Sequence, residues 1–370
     1  MVKSLLKTKC LAIVKSLINV TYSSGHGIRK ALVCGNNTCP RPEKTMSSQA
    51  IRWDAHSCVP LKNDYPFERV MRHHANGFHF VSINVGMDVT PVGDIMQMIA
   101  SFRRRIIAHP DLMLANNVED VETAARLGKL AVAFDLEGAM PLLGNPDMVD
   151  LYHRLGVRQM HFAYNRANDA AGGCYDPQVE LSAYGATLVA RCEDAGIVVD
   201  CAHLNERTSL AIMDMARKPV VISHANVRDL EPDLRNITGA MIDACAKCDG
   251  VIGVTGMSKL LPEGKANVEG MVEQIDHIVQ RVGPRHVGIG LDYVYDQADE
   301  ELPAGADPSY WFPTEHGFDE NFYKSLQFVP PEELGTLGDR LAALGYTDSD
   351  IGLIWGDNFH RIAKRCWKVV

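Results

Sequence analysis

The sequence predicts an α/β fold, a (β/α)8 TIM barrel whose last helices close the structure at the C-terminus. Three observations predict it. Eight short apolar runs cross the chain, at 51–57, 78–85, 130–138, 159–165, 197–203, 219–225, 251–256 and 286–292. Stretches with helical spacing separate them, and such alternation implies a parallel sheet with right-handed crossovers. At least five of the runs end in a residue that can bind a metal or move a proton: DAHSC, FDLEG, VDCAH, VISHA and GIGLD. In a barrel of this kind every strand points its C-terminal end at one face, the face that carries active sites. Residues far apart in sequence can therefore converge on one pocket, namely His56, Cys58, Glu137, His203, His224 and Asp292.

The helices follow in order. Residues 65–75 read YPFERVMRHHA. Over 92–108, Ile95, Ile99, Phe102 and Ile106 recur at spacings of three and four. The stretch 117–127 opens on an Asn cap followed by acidic residues. Further helices are predicted over 147–155, 182–195, 206–216, 238–248 and 267–282. The strands are nearly continuous in Val, Ile, Phe and Ala, as expected when both faces are buried. After the eighth strand, 293–331 is rich in Asp, Pro, Gly and aromatics and lacks periodicity. A segment this long is unusual unless functional, and its position predicts that it folds over the catalytic face. Residues 336–344, 348–355 and 358–366 read as the closing helices.

Composition sets outer limits. With 46% hydrophobic and 22% charged residues over 370 positions, the chain is ordinary for a globular protein and long enough for one barrel. A net charge of −9 with no compensating basic stripe argues against nucleic acid as a partner. No apolar run reaches the length of a membrane span. The ten cysteines form no disulfide framework, which favours a reducing cytoplasm. Cys245 and Cys248 form a CxxC, but no second pair accompanies it and the surrounding stretch reads as helix, so these are taken as ordinary thiols. Residues 1–45 differ from the rest. They are basic and mildly apolar, then punctuated by Gly, Asn and Pro, and are expected to be a poorly ordered, dispensable extension with Met46 as a plausible start. One barrel domain is expected over 46–370.

The order of the motifs resembles that of the membrane (renal) dipeptidase family, the M19 metallopeptidases, within the amidohydrolase-like barrels. Asp54-Ala55-His56 resembles the family's first-strand DGH, and residues 134–138, FDLEG, its glutamate strand. GVR at 156–158 with YNRAN at 164–168 is similar to the fourth-strand element of bacterial members. VDCAH at 199–203 and ISHAN at 222–226 resemble the two histidine strands, followed by Arg235-Asn236. VGIGLD at 287–292 is similar to the eighth strand and GDNF at 356–359 to the C-terminal element. The resemblance covers about residues 51 to 366. It implies a two-zinc centre in which Glu137 bridges both ions, His56 serves one ion, and His203 and His224 serve the other. It implies that Asp292 moves a proton, that Arg235 receives the substrate's terminal carboxylate, and that Tyr164 stands where mammalian members have a carbonyl-binding histidine.

One position departs from the family. The second ligand of the first ion is an aspartate two residues after the histidine, and Cys58 occupies that place. A thiolate is a good zinc ligand. Its sulfur sits nearer the backbone than a carboxylate oxygen would, and the longer Zn–S bond, about 2.3 Å, offsets only part of that. The sequence therefore leaves two readings open, a ligand and a packed thiol, with a weakened first site slightly favoured.

The leading expectation is a zinc-dependent, dipeptidase-like hydrolase acting on a small peptide or related amide. A hydrolase of another small amide or a lactone, and a barrel that has lost its metal chemistry, are the alternatives. A homodimer is an open possibility of assembly. His73, His74, His79, His161, His316 and His360 receive no role. His161 reads as core, and His316 as a loop residue within reach of the pocket.

Overall fold

The computed structural model describes residues 50–297, 302–303, 305–319 and 325–368. The expectations for residues 1–45 lie outside the described residues. All the strands pair in parallel, in the order β10-β1-β2-β4-β5-β6-β7-β8-β9, with β3 beside β4 off this path. The strands are β1 (Trp53–Cys58), β2 (Phe80–Met87), β3 (Leu112–Leu114), β4 (Leu130–Glu137), β5 (Val157–His161), β6 (Val198–Asp200), β7 (Val221–Ala225), β8 (Val251–Val254), β9 (Val287–Ile289) and β10 (Tyr293–Val294). The sheet curls until its ends meet. The chain leaving β9 returns as β10, which pairs with β1 through Ser57–Tyr293 and Cys58–Val294. The predicted eight-stave barrel is present, with β9 and β10 sharing one stave.

The helices between the strands are α1 (Met71–Ala75), α2 (Val92–Ala108), α3 (Val118–Arg126), α4 (Met148–Leu155), α5 (Ala183–Ala195), α6 (Glu206–Met215), α7 (Gly239–Lys247) and α8 (Val268–Val282). Seven of these helices match their predicted spans to within a residue or two; in the first, expected over 65–75, a 3-10 turn over Phe67–Val70 precedes an α-helix of only Met71–Ala75. The caps explain the precision. The side chains of Asn117, Ser182, Asn205, Thr238 and Asn267 each accept a backbone N–H from the first turn of the following helix. Two features escaped the sequence reading. The three-residue β3 is too short to show a period, and the strand expected over 78–85 begins two residues late, at Phe80.

Alternation divides each strand between two cores. On β4, Leu130, Val132, Phe134 and Leu136 pack outward against the helices, while Ala131 and Ala133 face the lumen. The lower lumen is filled by Trp53 stacked on Phe80 at 3.7 Å between ring centroids. The C-terminal helix Asn358–Cys366 closes this end with Phe359, Ile362, Ala363 and Cys366. The upper lumen is polar, and it holds Asp135, His161, Asp200 and Ser223, all fully buried.

Register shifts mark three strands near the upper end. Between Asp54 and Ser57, β1 carries one residue more than its partner; β2 does so between Asn84 and Met87, and β7 between Ile222 and Ala225. Such bulges bend a strand and re-aim side chains. Several strands also end sooner than predicted. Asn165, His203 and Asp292 adopt φ of 59°, 66° and 54°, left-handed conformations that stop the ladder and turn the side chain over the barrel mouth.

Candidate active site

The six residues expected to converge do so. Glu137 Oε1 lies at the centre, 2.8 Å from His203 Nε2, 3.4 Å from His224 Nε2 and 3.5 Å from His56 Nε2. The His203 and His224 Nε2 atoms are 3.0 Å apart, and the His56 and His224 rings stack at 4.0 Å. Cys58 Sγ is 3.4 Å and Asp292 Oδ1 3.7 Å from His56 Nε2. All six belong to strand ends or to the residues just beyond them.

Burial decides the charge states. It pushes the Glu137 carboxyl up to about 7, against the pull of His56 and His161. Burial, with the nearby cations, holds His203 and His224 well below the usual imidazole range, so both rings are neutral and keep a lone pair. His56 differs: burial would lower it, but Asp135, Cys58 and Glu137 outweigh burial and raise it well above its ordinary value. Burial also raises the Cys58 thiol well above its ordinary value and raises the Asp292 carboxyl.

Residues around these fix the rings. Asp135 Oδ1 is 3.1 Å from His56 Nδ1, which leaves Nε2 turned to the centre. Asp135 is held by Ser82 Oγ at 2.6 Å. Ser223 Oγ is 2.8 Å from His224 Nδ1. His203 Nδ1 has two partners, Asn165 Oδ1 at 2.8 Å and Arg235 Nε at 3.1 Å. Those two bonds need opposite forms of the ring, since Asn165 Oδ1 requires an N–H and Arg235 a lone pair. His161 lies under the site, but its nitrogens are committed. Nδ1 donates to Leu136 O at 2.9 Å, and Nε2 faces Asp200 Oδ2 at 2.9 Å. It is a supporting group and not a ligand, although its position places it in a possible set with His56, Glu137 and His224.

A cavity of about 90 Å³ opens above the centre, lined by Cys58, Glu137, Tyr164, His203, Arg235 and Asp292 among others. Tyr164 packs its ring 4.7 Å from that of His203. Arg235 also donates Nη2 to His224 O at 3.0 Å. As expected, the segment after the last stave covers this face, supplying Val294, Gln297, Phe312, Phe318, Leu326 and Phe328. His316 stacks on Tyr175 at 4.6 Å. Cys245 is buried in α7, and Cys248 donates its thiol to Cys245 O, in keeping with ordinary helix thiols.

The sequence reading missed Asp135, Asn165, Ser223 and Lys259. Asp135 was visible, because it precedes Glu137 by two on one strand face. Asn165 stood in a quoted motif without a role. Lys259 lines the cavity with its ammonium 2.8 Å from Asp233 Oδ2, and no local pattern marks it.

The donor set fits a metal. The neutral rings of His203 and His224 meet a carboxylate in a nearly dry space, an arrangement that a bound cation would satisfy. A parallel barrel with this cluster at the C-terminal ends of its strands defines a metal-dependent hydrolase architecture. The chain belongs to the membrane dipeptidase family, peptidase family M19, whose model matches residues 47–307. Over 207 residues it is 30% identical to dipeptidase tcpJ of Claviceps purpurea, a match covering 54% of this chain and 48% of that one, about half the fungal protein's length. In fold it is similar to an amidohydrolase from Pseudomonas aeruginosa, with a TM-score of 0.74 and 21% identity over 86% of this chain and 97% of that one. It is likewise similar to a metallo peptidase from Rhodobacter sphaeroides liganded with a phosphinate mimic of the dipeptide L-Ala-D-Ala, with a TM-score of 0.68 and 19% identity over 86% of this chain and all of that one. Among the described residues no helix is long and apolar enough to cross a membrane.

Proposed function

We propose that the protein is a zinc-dependent hydrolase of dipeptides or closely related small acyl-amino acids. One observation carries the reading: three imidazole Nε2 atoms surround one buried Glu137 oxygen at 2.8–3.5 Å. Glu137, His203 and His224 would hold one ion, and His56 with Glu137 the side of a second. When bound, zinc supplies a water of lowered pKa and polarises the scissile carbonyl.

The chain's own groups do the rest. Asp292 stands over the centre in a fixed backbone conformation, its N–H donating to His56 O at 2.9 Å. Its carboxylate takes the proton of the attacking water and delivers it to the leaving amine. Burial keeps the carboxyl above its ordinary value, which suits a group that must accept and then release a proton. Tyr164, beside His203, donates its hydroxyl to the carbonyl oxygen as negative charge develops there. Arg235 receives the terminal carboxylate with its guanidinium fork. Its present bond to His203 gives way for this purpose. When His203 Nε2 is a metal donor, Nδ1 must carry the proton, Asn165 becomes its partner, and the Arg235 Nε–H is released to the substrate. The cavity admits a small substrate, and the apolar side chains of Phe312, Phe318, Leu326 and Phe328 line it.

The test is hydrolysis of a dipeptide panel before and after chelation. Activity should vanish with chelator and return with zinc. Glu137→Gln and His224→Ala should each cost more than the roughly 10–100-fold that loss of an outer-shell partner costs. A chain that binds no divalent metal at saturating zinc would refute the proposal.

A further inference from the structure

The first ion site lacks the family's aspartate, and the surrounding geometry shows what takes its place. Cys58 closes β1, pinned by its pairing with Val294 and by the Tyr295 N–H donating to its carbonyl at 2.9 Å. The bulge between Asp54 and Ser57 brings His56 into the lumen one turn of the pleat before it. Sγ and His56 Nε2 are 3.4 Å apart, and Glu137 Oε1 is 3.5 Å from the same nitrogen. Two donors bound tetrahedrally to one zinc, each at about 2.0–2.3 Å, stand roughly 3.3–3.7 Å from one another. The two observed separations, both measured from His56 Nε2, match such edges. The ligand atoms of His56, Cys58 and Asp292 all lie within 4.8 Å of one another, so the remaining corner opens toward Asp292. Asp135 holds the far side of the His56 ring at 3.1 Å, the carboxylate–histidine support that orients metal-binding imidazoles.

We propose that Cys58, with His56 and Glu137, completes a thiolate-containing ion site in place of the aspartate-containing one. The proposal rests on the metallohydrolase reading above and deepens it. The reach argument expects the sulfur to fall short; the bulge compensates by setting His56 within one ligand edge of it. On binding, the Cys58 S–H bond breaks, a sulfur–metal bond forms and the proton leaves to solvent. A site of one nitrogen, one sulfur and one oxygen donor favours zinc, cobalt or cadmium over the harder magnesium and manganese. The two ion sites of this chain would then differ in metal preference, the Glu137, His203 and His224 site having no sulfur.

The metal-stripped full chain is titrated with cobalt(II) alone, following visible bands and the near-ultraviolet sulfur-to-cobalt charge-transfer band. Two ions should bind, and one of them should bring the charge-transfer band. Cys58→Ser should abolish that band and lower stoichiometry toward one ion, with circular dichroism unchanged. Cys58→Asp should restore the second ion without the band. His56→Gln should remove the band while leaving Cys58 in place, which guards against a folding effect at position 58. Cobalt bound without charge-transfer intensity, or a stoichiometry unmoved by Cys58→Ser, would overturn the inference and leave the hydrolase reading standing. Failure of any cobalt to bind would overturn both.

Discussion

Asp54 ties the barrel's seam to its chemistry, and its removal makes a quantitative test. The side chain is fully buried. Oδ1 accepts the Leu291 N–H at 2.8 Å, across the junction between β1 and the last stave. Oδ2 accepts Ser57 Oγ at 2.6 Å and His73 Nε2 at 2.7 Å, and His73 in turn meets the Tyr295 hydroxyl through Nδ1. With the His56 N–H, which donates to Oδ1 at 3.4 Å, Asp54→Ala strands four buried donors at once. Each unpaired buried group costs about 1–3 kcal/mol. Allowing water to enter the space left behind and satisfy part of them, a loss of about 4 kcal/mol is expected. Asp54→Asn keeps an acceptor for Leu291 and turns its amide to His73, whose ring can present a lone pair there, so about 1–2 kcal/mol is expected. Leu291 adjoins Asp292, so the alanine variant should also lose activity in whatever fraction remains folded. The assay is urea unfolding followed by tryptophan fluorescence, which the lumen residue Trp53 reports, alongside turnover in native buffer. A loss under 1 kcal/mol for Asp54→Ala, or equal losses for the two variants, would refute this account of the seam.

Two further predictions concern the supports of the site and the acid limb of stability. Gly138, just after Glu137, has φ of 124°, and a methyl there would run into the Asp88 carboxylate, which accepts the Met140 N–H at 2.8 Å, the Tyr164 N–H at 3.0 Å and Asn168 Nδ2 at 2.8 Å. Gly138→Ala should therefore destabilise by at least about 1–2 kcal/mol and lower activity, as measured by unfolding midpoint and turnover, while Gly264→Ala, at a milder positive φ of 74° and with open space around it, should show only a smaller backbone strain. His153 is held down to about 4 by burial and by Arg158. The folded protein thus protonates it later than the unfolded chain does, so its contribution is present above the ordinary imidazole pKa of about 6.5 and is lost as pH falls toward 4, by about 2 kcal/mol at pH 5. His153→Gln should flatten the unfolding midpoint between pH 7 and 5; an unchanged slope would show that this histidine does not control it.

The fold was legible where local chemistry and tertiary structure agree. Parallel staves buried on both faces read as continuous apolar runs, and helices capped by Asn, Ser or Thr announce their first turns. Strand ends were less legible. The sequence continues apolar past Asp200 and Ile289, but left-handed residues at His203 and Asp292 stop the ladder, and nothing in the side chains of a histidine or an aspartate requires that conformation. Convergence of the six candidates followed from topology, since all sit at C-terminal strand ends. Their partners did not follow. Ser223 reads as any small strand residue, and Lys259 enters from a loop whose path no periodicity sets.

The least readable feature was the face each ligand takes. Alternation counted from Trp53 and Ala55, which face the lumen, sends His56 outward to the helices. Counted from Val221 and Ser223, it sends His224 outward as well. Both rings nonetheless meet Glu137, because β1 and β7 each carry one extra residue just there, and the count resets. A one-residue slip is as costly as any register error along a buried strand, so these bulges must be held from outside. They are: Asp54 locks β1 to the last stave, and Gly253 and Gly290 leave room for the Ser223 carbonyl that the β7 bulge displaces, where any Cβ would overlap it. The site thus depends on residues that bind no metal and touch no substrate. Cys58 follows from the same device. With a regular β1, positions 56 and 58 would share a face whatever their identity. Here Cys58 Sγ and His56 Nε2 stand 3.4 Å apart, one ligand edge, on the strand that the bulge re-aims.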